Sequence, residues 1–142
     1  MDRLAEAFEF YEERRQEGDI QFYGMATWLC FRAKKEEENV YLNLQKCMEL
    51  AESIGGKDTH GFRFIQVPMN VIMPEAFVEP WQEYVQPEAA THIGPDEKIL
   101  VQVCNLMKMN LIASKPLFDS RVRDIDIPMI DAPTTDTVAK HL

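Results

Sequence analysis

Positive charge is what this sequence has least of. Its 15 lysines and arginines stand against 24 aspartates and glutamates, a net charge of −9. Nucleic acid and anionic membranes need a positive field, so neither is an expected partner without help. Long apolar runs are missing too: none approaches the roughly 18 residues that a membrane span needs. The opening residues, Met1 to Ala7, are acidic and carry no apolar signal core, so no secretory or transit peptide is expected. Cysteine is scarce and odd in number. Cys30, Cys47 and Cys104 are scattered, and two of them fall on apolar helix faces. Buried thiols in a reducing compartment follow, with the cytoplasm as the expectation and the mitochondrial matrix as the alternative.

Several catalytic signatures are also missing. His60, His92 and His141 are far apart, and no H-x-x-x-H or C-x-x-C spacing occurs, so no metal site is expected. There is no G-x-S-x-G elbow, no G-x-x-x-x-G-K-[ST] loop and no G-x-G-x-x-G fingerprint. The run from Gly55 to Asp58 closes a helix, and its carbonyl end repels phosphate. Met69, Met73, Met107 and Met109 read as core fillers.

A chain of 142 residues with 46% hydrophobic and 27% charged residues is an ordinary single globular domain spanning 1–142. Leu4, Ala7, Phe8 and Tyr11 recur at helical spacing over residues 2–16, with Gly18 as a left-handed stop. Ile20–Met25 reads as a buried strand, apolar on both faces. Residues 28–38 read as a loop or irregular turn, with its charge run, Lys34 to Glu38, as a solvated surface. Val40, Leu44, Cys47, Met48, Ala51 and Ile54 form one helical stripe closed by Gly55 and Gly56. Phe62–Val67 is the second strand, stopped by Pro68. Residues 69–95 carry several prolines together with Phe77, Trp81 and Tyr84, which predicts an ordered insertion over one end of the sheet. Trp81 and Tyr84 would serve there as a lid or as an interface anchor. Asp96 is the expected N-cap of a helix reaching about Met109. Leu111–Ser114 is the third strand, and Thr134 opens a last capped helix.

Alternating helices and strands make an α/β chain with parallel strands and right-handed crossovers. Three strands leave sheet edges to be covered. Two architectures satisfy this: a small three-layer domain shielded by its own loops, or a partial (β/α)8 TIM-type barrel of about three parallel strands with intervening helices, completed from outside.

The segment "EGDIQFYGMAT" resembles the aldo-keto reductase family around barrel strand six, typically "eGkIryiGvSn". "FRFIQVPMN" is similar to strand seven, "vvQvpyN", with Gln66 and Asn70 in matching places. "MNLIASKPLF" is similar to strand eight, "gitviaysPLg", with Pro116 and Leu117 in register. The resemblance covers roughly residues 3–120, in the right order, and only the C-terminal part of the family barrel.

The resemblance implies an NADP-dependent oxidoreductase ancestry, related to NAD(P)H-dependent carbonyl reductases. In the family a serine and an asparagine after strand six hold the nicotinamide carboxamide, and Ala26 and Thr27 stand there. Gln66 keeps the glutamine that shares this role; read from its residue type alone, it is equally a structural amide. The aromatic residue that stacks on the nicotinamide is replaced by Ser114. The pyrophosphate loop would run from Leu117 to Arg121, with Lys115 or Arg121 adding charge. The catalytic aspartate, tyrosine, lysine and histidine come from earlier strands of the family, and Tyr11, Tyr23, Tyr41 and Tyr84 lack the context of its acid. The resemblance therefore implies a degraded cofactor site for NADP and no catalytic tetrad in this chain. The alternative is a non-catalytic structural or interaction subunit that needs a protein partner or a second half-barrel chain.

Overall fold

The computed structural model describes residues 2–86 and 96–114. The first helix, α1 (Asp2–Gln16), has the extent its spacing predicts, and Gly18 ends the turn after it at a φ of 85°. Its buried line is Leu4, Phe8 and Glu12, four residues apart, whereas Tyr11 is exposed. The helix is thus rotated from the expected stripe, with a carboxylate facing inward. Strand β1 (Tyr23–Ala26) begins three residues later than expected, since Ile20 to Phe22 remain outside the ladder.

The charge run after β1, residues 34–38, is exposed, as expected. Before it, Cys30–Arg32 form a 3-10 turn whose Phe31 and Arg32 are buried along with Ala33. Helix α2 (Leu44–Gly55) starts four residues after Val40. Asn43 explains the shift: its side chain accepts from the Lys46 amide at 2.9 Å, an N-cap that sets the first turn. Gly56 closes the helix at a φ of 85°, its amide bonded to Glu52 O.

Strand β2 (Phe62–Pro68) is central, and the third parallel strand, named β5 here, is Asn110–Ser114. The order β1-β2-β5 is parallel throughout, as the alternating pattern requires. The sequence pattern misses a second sheet. After a short helix α3 (Glu75–Val78), strand β3 (Gln82–Tyr84) pairs antiparallel with β4 (Asp96–Lys98). Asp96 is therefore a strand residue paired with Tyr84, not a helix cap. Helix α4 (Leu100–Leu106) has Ile99 at its N-cap, where no side chain caps it. Residues 69–86 are ordered, as expected of the insertion, and 87–95 lie outside the described residues. Gln82 fastens the hairpin. It is buried, accepts from the Leu44 amide at 2.9 Å, and donates to Phe31 O and Leu42 O at 3.2 Å each.

The core lies on one side of the three-stranded sheet. Phe8, Tyr23 and Phe62 pack with ring centroids 5.0–5.9 Å apart, and Leu44, Cys47, Ile65, Val67, Leu100 and Val103 continue the layer. The other side is open. Gly24 and Ala26 on β1, Phe64 and Gln66 on β2, and Asn110 and Ile112 on β5 form two rows across it. Phe22 is 51% exposed and Ile112 44%. The expectation that β1 would be buried on both faces fails here, because among the described residues nothing covers this side. Gly24 is needed in its row: a Cβ there would collide with the Phe64 carbonyl and side chain.

Candidate functional site

The C-terminal ends of the parallel strands carry several of the residues that the sequence resemblance singles out. Ala26, Gln66 and Ile112 are register partners in one row. The Thr27 amide donates to Gln66 O at 2.9 Å, which carries the chain across the strand end. Ser114 pairs with Pro68 one step further, and its carbonyl accepts from the Met69 amide at 3.1 Å. Ala26, Thr27, Gln66 and Ser114 are therefore neighbours. Lys115, Leu117 and Arg121 lie outside the described residues.

What this end offers chemically is limited. Gln66 is exposed on the open face, and the Thr27 Oγ1 is buried with no hydrogen-bond partner. Ser114 provides no ring to lie against a nicotinamide. Alanine, threonine, glutamine and serine exchange no proton near neutral pH, so no acid or base stands among them. Behind them Arg32, buried, reaches Glu75 at 3.5 Å and Pro68 O at 3.5 Å, tying the insertion to the end of β2. Asn70 turns the chain there by accepting from the amides of Ile72 and Met73.

The titratable groups cluster at the opposite end. Glu12, 3% exposed, accepts from Tyr23 Oη at 2.9 Å and from the Gly61 amide at 2.7 Å, and pairs with Arg15. Burial pushes the Glu12 carboxyl up, but these donors together outweigh it and hold the group below its usual value. The same burial and the adjacent carboxylate push the Tyr23 hydroxyl well above its ordinary range. Gly55 leaves room for this carboxylate: a Cβ would lie 2.5 Å from the Glu12 carboxyl carbon.

Beside that cluster, a cleft of about 490 Å³ opens between α2, the start of β2, and the end of α4. His60 lines it and is 3% exposed. Arg63 Nη1 lies 3.0 Å from both ring nitrogens and donates to Phe62 O at 2.8 Å. Burial, then the Arg63 charge, keep the imidazole pKa below the ordinary histidine value. Sequence reasoning passed over this end. One signal was there: Glu12 sits four residues after Phe8 on an apolar line, and a charge in that place is a buried charge needing partners. Nothing in the spacing links Glu12 to Gly61 or His60 to the end of α4, because those meetings are made by the fold.

Among the described residues no helix is long and apolar enough to cross a membrane, and no group of His, Cys, Asp or Glu is arranged to hold a metal ion. In comparisons with known proteins, no family model, no curated protein and no solved structure matches this chain.

Proposed function

We propose that this chain is a non-catalytic interaction subunit, an arc of a (β/α)8-type barrel related to the aldo-keto reductases, whose open sheet face is closed by a second half-barrel chain. The observation that carries the reading is the uncovered side of an all-parallel sheet. Such sheets are ordinarily covered on both faces. Two features favour this one occupant. The open rows, Gly24, Phe64 and Asn110 with Ala26, Gln66 and Ile112, hold no charged residue in a chain of net charge −9. The partner surface must therefore be uncharged and partly apolar. β1 and β5 also end the sheet with unpaired edges among the described residues, which a chain supplying further strands would complete.

Light scattering on the purified chain tests this. A monomer at micromolar concentration that does not bind the dye ANS would overturn the reading, because the face would then be covered from within. The expected result is self-association, or ANS binding by a monomer.

The second reading, an oxidoreductase related to NAD(P)H-dependent carbonyl reductases, is favoured by Gln66 and Thr27 lying side by side at the strand ends, the Thr27 amide on the Gln66 carbonyl. These two would hold the carboxamide of NADP, a cofactor that supplies hydride when bound, and the phosphate contacts would fall to Lys115, Leu117 and Arg121. NADPH fluorescence separates the readings. Enhancement at micromolar concentration that disappears in Gln66→Ala supports cofactor binding, and an unchanged spectrum supports the interaction subunit.

A further inference from the structure

The His60 cleft has a donor surplus. A guanidinium only donates, so it satisfies just one ring nitrogen of the neutral imidazole, the one that accepts. The other is an N–H pointing from a side chain 97% removed from solvent, since His60 is 3% exposed. Among the described residues the imidazole has no side-chain hydrogen-bond partner other than Arg63. Among the described residues Arg63 forms no ion pair, and its one bond to protein oxygen is to Phe62 O. Glu52 is near enough to influence the ring's charge, yet makes no hydrogen bond to it. A buried N–H with no acceptor destabilises the fold, and an acceptor arriving from outside would relieve that cost.

The field in the cleft narrows the ligand. It is lined by two helix C-termini, which alone would repel an anion. Several of their terminal carbonyls are already occupied. The α2 end is met by Thr59 Oγ1 on Gly55 O at 2.5 Å and the His60 amide on Gly56 O at 3.0 Å. The α4 end is met by the Met107 and Met109 amides on Val103 O and Cys104 O. Lys57 and Lys108 are offset by Glu49, Glu52 and Asp58, so a doubly charged anion gains little. Met48, Tyr84 and Met107 supply an apolar wall.

We infer that this cleft binds a small monocarboxylate, its head received by the Arg63 guanidinium and the free His60 N–H and its aliphatic tail lying along Met48, Tyr84 and Met107. A carboxylate can take one hydrogen bond from a guanidinium and a second from a neighbouring N–H. The site lies at the opposite end of the strands from Gln66 and does not depend on the barrel reading.

The test is a titration of the whole chain, followed by the imidazole nitrogen resonances of His60, with acetate, butyrate and inorganic phosphate as probes. Butyrate is expected to shift both resonances in saturable fashion, about ten-fold more tightly than acetate because of two extra buried methylenes. Phosphate is expected to bind at least ten-fold more weakly than butyrate. Arg63→Gln should weaken butyrate ten-fold or more, Arg63→Lys should restore part of the loss, and Lys57→Ala, on the exposed rim, should change it about two-fold. Two results would overturn the inference: resonances unmoved by butyrate at tens of millimolar, which leaves the N–H to water, or phosphate binding as tightly as butyrate. Lys57→Ala retains the site if Arg63 variants fold poorly, and butyrate binding no tighter than acetate in that variant also counts against it.

Discussion

Glu12 is the residue on which α1 depends most. Its carboxylate collects Tyr23, Gly61 and Arg15, three groups from three parts of the chain. Glu12→Ala strands all three inside the protein, and a loss of roughly 3 kcal/mol or more is expected from urea unfolding. The carboxyl is held below its usual 4.5 in the folded protein, so below that value the unfolded chain binds more protons. The stabilisation is complete above pH 4.5 and disappears as pH falls through the lower folded value. His60 acts in the same direction from a higher start. Its folded pKa lies below 6.5, so stability declines as pH drops from 6.5 toward that value. Unfolding midpoints measured from pH 7 down to pH 2 should show both steps, and Glu12→Gln should remove the lower one while leaving the upper.

At the scale of elements, the joints are predicted to be more fragile than the helices themselves. Asn43→Ala removes both the cap of α2 and its Nδ2 bond to Glu83 O, 2.9 Å long, and should cost about 1–2 kcal/mol. Gly24→Ala forces a methyl group against the Phe64 backbone and should cost about 1–3 kcal/mol, with amide exchange speeding first in β1 and β2. The helical stripe of α2, the glycine stops at Gly18 and Gly56, and the three parallel strands were legible because periodicity and backbone restriction act locally. The β3–β4 hairpin was not. It is three residues long on each side, and Gln82, which fixes it, works through bonds to Phe31, Leu42 and Leu44 that no spacing announces. Asp96 misled for a related reason. A carboxylate before an apolar run suits an N-cap, but here strand pairing with Tyr84 takes the residue, and Lys98 neutralises it at 2.6 Å. Of the candidate site, the neighbours Ala26, Thr27, Gln66 and Ser114 were found through strand ends. The His60 cleft was missed because its walls come from segments over forty residues apart in the chain (Arg63 and Lys108 among them).

For the molecule as a whole, the uncharged rows matter more than the net charge. Ile112→Asp places a charge on the open side, on the edge strand β5, at a position 44% exposed. It should reduce self-association by at least ten-fold by sedimentation equilibrium, with a thermal midpoint unchanged within about 1 °C for a solvent-facing position. A midpoint lowered by many degrees would instead place Ile112 within a folded interior.

Cys47 and Cys104 are buried in the helix layer, whereas Cys30 is half-buried, and burial pushes the first two thiols up to about 12. Only the thiolate attacks an aromatic disulfide reagent, so the two inner sulfurs stay silent until their helices lift from the strands. The chain thus contains its own clock. Cys30 should be modified first, and the later, slower release of chromophore counts how often α2 and α4 come away from the sheet.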